Sequence, residues 1–399
     1  MSVDVVLAGV GGYGASYLEL MRPAIAQGAM RLVGAVEPAP GRTADMDDLR
    51  ARGVPVWKDL GDFLAADVPA ALIVLATPIQ HHAAQTCAAL ERGLAVLCEK
   101  PAAASLDEVR RMAAARERAG RLVAIGYQWS FSTAMRRLRR DIAECRFGRP
   151  RRLRAWVAWP RDAAYYGRNG WAGRIRDAAG RLVNDSPVNN ATAHYLHNMF
   201  FVLGLDGLGP AARPFTMEAE IYRANAIENF DTACLRLVTD DNTEILFFAS
   251  HAVDQTSRPT FIYEFERGTV AFGAQPGGVR ATLPDGTSVD YGNPDGDAMN
   301  RKLLDTLAAV REGSRETPGS LEAAAMQTRV IDALQQMTTR ALPAACCRTM
   351  PGAKGSSVLT YVPGLFDAMR QGFEQGRLFS EMNLPWAVPA QTVVSRSEA

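Results

Sequence analysis

Three stretches of the chain combine residue types and spacings that can do chemistry. Gly9-Val10-Gly11-Gly12-Tyr13-Gly14 fits GxGxxG, directly after an apolar run and directly before a helical pattern. In that setting Gly9 allows a tight turn, Gly11 lets main chain approach a pyrophosphate, and Gly14 lets the next helix pack on a sheet. The helix N-terminus, entered through Gly12 and Tyr13, then faces phosphates with unpaired N–H groups. Glu37 ends the second apolar run. A carboxylate there accepts hydrogen bonds from both ribose hydroxyls and repels a 2′-phosphate, so NAD is expected rather than NADP, with Arg42 nearby to soften the preference.

The second stretch is Cys98-Glu99-Lys100-Pro101, at the end of another apolar run. A cation at the C-terminal edge of a parallel sheet lies where ligands bind and can steady a hydroxyl losing its proton. The third runs from Asp185 to His197 and holds two of the five histidines. Ser186 and Pro187 read as N-cap and first-turn residue. That start puts Asn190 and His194 four apart on one helix face, with His197 a turn further on. A histidine with an ordinary pKa near 6.5 suits a general base. Two plainer readings stand beside it. His194 and His197 are also what hydrogen-bonded core residues look like. With Asp185 they make a metal set that lacks a defined fourth ligand, and no metal is expected.

The elements that must position these residues alternate in the first part of the chain. Apolar runs at Val5–Val10, Leu32–Glu37, Ala71–Thr77, Leu94–Glu99 and Leu122–Tyr127 are near-continuous, as in parallel strands buried on both faces. Helical patterns lie between them at Ala15–Ala26, Asp59–Ala66, Gln80–Arg92 and Ser105–Ala119, the last opened by a capping box of Ser105 and Glu108. The alternation predicts a doubly wound α/β domain over residues 1–128. Beyond it, alternating stretches at Leu153–Trp159, Met217–Ala224, Thr232–Val238, Thr243–Ser250, Thr260–Phe265 and Gly268–Phe272 predict an α+β domain on a mostly antiparallel sheet over 129–345. Leu321–Met337 reads as a long helix, and 346–399 as an extension whose helix docks on the body.

Composition narrows the function classes. The chain has 399 residues, which favours two domains, and 48% hydrophobic with 22% charged residues argues against disorder. A net charge of +1 gives no field favouring nucleic acid or a membrane surface, so the arginines from Arg136 to Arg154 read as a solvated helix face and strand edge. No apolar run approaches the roughly 20 residues of a membrane span. Six scattered cysteines without CxxC fit a reducing cytoplasm.

Taken together, the GxGxxG loop, the Ala76-Thr77-Pro78 turn followed by a helix carrying His81, the Glu99-Lys100-Pro101 strand end, Gly126-Tyr127-Gln128 and Gly148-Arg149-Pro150 resemble the glucose–fructose oxidoreductase / inositol dehydrogenase / MocA family across nearly the whole chain. The resemblance implies an N-terminal Rossmann domain and a C-terminal α+β domain with a large, open-faced, mostly antiparallel sheet. It implies an NAD(P)-dependent dehydrogenase or reductase of sugars, cyclitols or related polyols, assembled as a homodimer or homotetramer. It makes Thr77, Pro78, His81, Glu99 and Gln128 cofactor contacts and Lys100 a substrate contact. His194 takes the place of the family's catalytic histidine. Asn190 falls where the family has aspartate, a departure that removes a charge, and Asp185 is the carboxylate nearest in sequence to replace it. Tyr166, Trp171 and Arg174 lie in the loop bordering the substrate site, where aromatic faces and hydrogen-bonding groups suit a polyhydroxylated ring. Two other functions keep the same fold: a sugar-modifying lyase or hydrolase that retains NAD for transient oxidation, and a non-catalytic dinucleotide-binding protein.

Overall fold

The computed structural model describes all residues except 1, 43–44, 210–211, 275, 353–354, 356 and 396–399. It divides into two compact units, Met1–Ser132 with Asp297–Ala324, and Thr133–Gly296 with Ala325–Ala399.

The first unit is built on β1 (Val3–Ala8), α1 (Tyr13–Ala26), β2 (Met30–Val36), α2 (Met46–Ala51), β3 (Val56–Trp57), α3 (Leu60–Ala65), β4 (Leu72–Leu75), α4 (Ile79–Glu91), β5 (Ala95–Cys98), α5 (Leu106–Ala119) and β6 (Val123–Ile125), followed by the short α6 (Gln128–Phe131). The strands form one parallel sheet in the order β3-β2-β1-β4-β5-β6, a doubly wound arrangement whose strand order reverses beside β1. The apolar runs read from the sequence are β1, β2, β4, β5 and β6; β4, β5 and β6 are buried throughout and β1 nearly so, as sheets covered on both faces require, while β2 is buried at Met30 and from Gly34 to Val36. Ser105 caps α5 by accepting the Glu108 N–H, and Glu108 accepts the Ala104 N–H at 3.0 Å, one residue earlier than a standard capping box. The helix Ala298–Glu312 completes this unit, adding Leu303 and Leu307 to the core around Leu7, Tyr17 and Leu97.

The second unit contains α7 (Thr133–Ala143), β7 (Pro150–Ala158), α8 (Ala163–Tyr166), a π-helical turn (Pro187–Ala191), α9 (Ala193–Val202), β8 (Phe215–Arg223), β9 (Thr232–Thr239), β10 (Glu244–Ser250), β11 (Thr260–Phe265), β12 (Gly268–Phe272), β13 (Val279–Thr282) and β14 (Ser288–Gly292). After α10, the helix Ala298–Glu312 just described, come α11 (Leu321–Gln335), β15 (Arg340–Ala341), the hairpin β16 (Arg348–Pro351) and β17 (Val358–Tyr361), α12 (Leu365–Gln375) and β18 (Gln391–Ser395). The large sheet runs β14-β13-β12-β11-β7-β10-β9-β8-β15, with β18 also on β8. Its pairs are antiparallel except β7 with β10 and β8 with β15. All six strands expected here are present. One face of the sheet, bearing Trp156, Tyr222, Leu246 and Phe248, packs against Leu365, Met369 and Phe373 of α12 and Phe379 beyond it. Arg154 and Arg236 fasten this segment: Arg154 donates to the main-chain oxygens of Phe373 and Glu374, and Arg236 to Glu381. That part of the sheet is therefore covered by the chain's own C-terminal segment rather than left open.

Candidate active site

In the first unit the glycine loop is dictated by space. Gly9 has φ +82°, and a Cβ there would lie 2.8 Å from the Ala76 oxygen. A Cβ on Gly14 would lie 1.8 Å from the Gly9 oxygen, so any larger residue would push α1 off the loop. Gly12, with φ +61°, faces open space, and α1 begins without a side-chain cap. Apart from Gly14, whose N–H donates to Gly11 O at 3.2 Å, its first-turn N–H groups face an anion without a capping side chain. Tyr13 is exposed at the start of α1. Glu37 is buried: Oε2 accepts the Val10 and Gly11 N–H groups, each at 3.0 Å, and Oε1 accepts that of Ala39. The side chain of Arg42 lies outside the described residues.

The Lys100 turn is held from behind. Glu99 Oε2 accepts the Lys100 N–H at 3.1 Å, while Oε1 accepts both Tyr17 Oη and Lys302 Nζ at 2.6 Å. Lys302, on α10, is fully buried, with its ammonium 4.6 Å from the Tyr17 ring centroid. Burial works against the Glu99 charge, but Lys302, Tyr17 and Lys100 outweigh it and keep the carboxyl below the usual carboxylate range. Burial and Glu99 push the Tyr17 phenol well up. Glu99 is therefore committed to protein groups, and Gly126 makes room for it, since a Cβ there would lie 2.6 Å from Oε1.

Pro78 precedes α4, and Thr77 donates its hydroxyl to Gln85 at 2.5 Å. His81 is half-buried, whereas His82 is buried between two carbonyls, Pro101 O and Thr77 O, each 2.8 Å from a ring nitrogen. Gln128 Oε1 is buried and has no hydrogen-bond partner among the described residues. An unmet acceptor in the same unit as an uncapped helix start and a glycine cradle fits a dinucleotide ending in a carboxamide.

In the second unit the helix expected from Ser186 is interrupted. Ser186 does cap, accepting the Asn189 N–H, but the next five residues make a π turn. The cause is Thr192: its N–H and its hydroxyl both donate to Pro187 O at 2.9 Å, a five-residue spacing. α9 starts only at Ala193, so Asn190 and His194 belong to different helical pieces. Asn190 donates its amide to Asp185 Oδ1 at 2.7 Å, and Asp185 Oδ2 accepts the Gly173 N–H at 2.6 Å. Asp185 is buried. One N–H of the Asn190 amide is thus committed to a carboxylate.

His194 is half-buried and its ring lies 6.4 Å from that of Tyr195, which meets Trp159 edge-on at 5.8 Å. His197 is different. It is buried, stacked on Phe201 at 6.2 Å, and burial with the nearby Arg139 cation lowers its pKa to about 3. It is a neutral core residue. Tyr165 stacks under Arg168 at 3.6 Å and meets His251 at 5.7 Å. His251 is also held neutral, by burial first and Arg161 second, with a pKa of about 3. The Tyr166 hydroxyl is buried without a partner among the described residues. Trp171 is half-buried and Arg174 exposed, and the main chain of Arg174 accepts the Asp185 N–H at 2.9 Å. Among the described residues no group of three or more His, Cys, Asp and Glu side chains is arranged to hold a metal ion.

Sequence reasoning passed over His82, Lys302, Tyr17 and His251. For His82 a signal existed: Ile79, His82, Ala83, Thr86, Ala89 and Leu90 form the buried stripe of α4, and His81 falls off it. For Lys302 none did, because its partner lies 203 residues away.

The first unit and the fold have counterparts among known proteins. Residues 3–127 match the model of the oxidoreductase family with NAD-binding Rossmann fold. A 1,5-anhydro-D-fructose reductase of Ensifer adhaerens is 29% identical over 171 residues, 40% of this chain and 50% of that protein. An inositol 2-dehydrogenase of Rubrobacter xylanophilus is 30% identical over 161 residues, 39% of this chain and 43% of that protein. The chain thus spans half or less of the length of these relatives. The WlbA dehydrogenase from Bordetella pertussis, solved with NADH and UDP-GlcNAcA, superposes with a TM-score of 0.67 at 19% identity, over 84% of this chain and 96% of that one, and so shares the fold. The fold and the loop define a dinucleotide-binding Rossmann domain. Residues 3–127 are similar to the NAD-binding Rossmann domain of the glucose–fructose oxidoreductase / inositol dehydrogenase / MocA family.

Proposed function

We propose that this chain is an NAD-dependent oxidoreductase acting on a hydroxyl or carbonyl carbon of a sugar, cyclitol or related polyol. The observation that supports it most is the Lys100 turn, which Glu99 and the buried Lys302 hold rigidly at the C-terminal end of β5 in an NAD-binding unit. Bound NAD supplies the hydride acceptor. Gly9, Gly11, Gly12 and the start of α1 hold its phosphates, Glu37 its ribose, and Gln128 Oε1 receives an amide N–H. His194 takes the proton of the reacting hydroxyl, Lys100 steadies the oxygen as charge develops, and Asn190 Oδ1 accepts from a neighbouring hydroxyl. Tyr166, Trp171 and Arg174 line the sugar. The sugar and cyclitol enzymes among its relatives support this substrate class.

Among the described residues no helix is long and apolar enough to cross a membrane. The reading adopted is a cytoplasmic homodimer or homotetramer. Its contacts would not use the sheet face around Trp156 and Phe248, which α12 already covers.

The test is absorbance and mass analysis of the purified protein for bound cofactor, then 340 nm assays with NAD and a panel of sugars and cyclitols. NADH formed with one substrate class is the expected result. Bound NAD without net reduction would replace this reading with transient internal oxidation, and neither binding nor turnover would overturn it.

A further inference from the structure

The buried His82 ring is placed as a bridge between two turns that the proposed chemistry needs. Nδ1 lies 2.8 Å from Pro101 O and Nε2 2.8 Å from Thr77 O. Both partners are carbonyl oxygens, which only accept. A neutral imidazole has one N–H, so it bonds one carbonyl and turns a lone pair toward the other; only the cation satisfies both. We propose that His82 is a positioning residue for Lys100, its ring tying the turn at Thr77 to the turn at Pro101 and engaging both at once only when doubly protonated.

The surroundings set opposing pressures on that proton. Burial comes first and favours the neutral ring, lowering its pKa, while the two carbonyls and the Glu99 carboxylate favour the cation and the Lys100 ammonium opposes it. The clamp is thus closed on both sides in acid and on one side in base. The neighbouring supports do not titrate with it: Glu99 is held below the usual carboxylate range and Tyr17 far above its own. His82 acts through main chain at both ends and touches no reacting atom. It fixes where Lys100 sits relative to Thr77, because Pro101 follows Lys100 directly and Thr77 opens the turn into α4.

The kinetic consequence rests on the Lys100 role proposed above, and the spectroscopic one does not. In the full chain labelled with ¹⁵N-histidine, the His82 ring is followed by ¹H–¹⁵N correlation from pH 5 to pH 8, assigned through its contacts with Thr77 and Pro101. The expected result is two protonated ring nitrogens at pH 5 and one at pH 8. In parallel, kcat at saturating NAD and substrate is compared between the wild type and His82→Gln, which keeps one donor nitrogen and has no titratable proton. The wild type is expected to exceed the variant by about tenfold at pH 5 and by about two- to threefold at pH 8, the size of one lost charge-assisted hydrogen bond, with NAD affinity unchanged. Using the ratio cancels the limb due to His194, which runs the other way because a base must be neutral. A ring with one proton throughout, or a ratio identical at both pH values, overturns the proposal. If His82→Gln does not fold, the wild-type titration decides alone. If no substrate turns over, the hydride reading fails while the ring titration still tests the clamp.

Discussion

Each unit carries a close pair of histidines, and in each pair one is half-buried and the other buried. In the first, His81 lies off the buried stripe of α4 and His82 lies on it, between main-chain carbonyls. In the second, His194 is half-buried near the start of α9 while His197 stacks on Phe201 in the core. The roles are reversed. The first unit presents main chain, with a glycine loop, an uncapped helix and a lysine whose own N–H is anchored, so its buried histidine is the one proposed to support function from behind. The second presents side chains on an irregular helix start, so its half-buried histidine is the one proposed to do chemistry, while its buried one packs in the core. A histidine's role follows from what its neighbours already satisfy.

The sharpest way to break that comparison is to remove the two proposed reacting side chains. Lys100→Ala is expected to lower kcat by about 10²–10³-fold, and His194→Gln by a similar factor, with NAD affinity within about twofold by fluorescence titration. An unchanged kcat in either would take that residue out of the site. His197→Gln should leave kcat within about twofold while lowering the thermal midpoint.

The next effect is on stability. Lys302→Met leaves the Glu99 carboxylate buried and unpaired, at a cost of roughly 3–5 kcal/mol measured by denaturant unfolding. The pH dependence has a definite sign. A carboxyl held below its unfolded value stabilises the fold above that unfolded value, and the stabilisation disappears as pH falls through the folded one. Wild type should therefore lose stability in acid, and Lys302→Met should show a shallower loss because its Glu99 already resists ionisation. A variant as stable as wild type at pH 7 would mean that the ion pair does not hold the Lys100 turn.

A smaller effect is expected at the departure from the family pattern. Asn190→Asp sets a second carboxylate where an amide now donates to Asp185 at 2.7 Å. Like charges so close share a proton, so the variant should lose activity several-fold, with its pH–rate limb moved upward. Higher activity with an unmoved limb would show instead that the asparagine is a weakened aspartate.

These contrasts follow how legible each region was. In the first unit the apolar runs, the glycine loop and the Glu99-Lys100-Pro101 turn could be read because each depends on neighbours within a few residues. The two-residue β3 and the short α2 carry too little pattern to register. In the second unit the six longer strands were legible, but β13 and β14 are short and largely polar, and β15 and β18 are strands only because β8 offers them an edge. The π turn was hidden because Thr192 reads as an ordinary helical residue until its hydroxyl is seen on Pro187. Glu99 read as a cofactor contact because nothing near it in sequence announces Lys302.

That last pairing also fixes an order of events during synthesis. Glu99 is made 203 residues before Lys302, and the whole β7–β14 segment is translated between them. Until α10 leaves the ribosome, the nascent Rossmann sheet must keep Glu99 hydrated or protonated, so its last step of consolidation waits on a helix encoded after most of the other unit. The nucleotide-binding half comes first in the message and is among the later parts of the molecule to be finished.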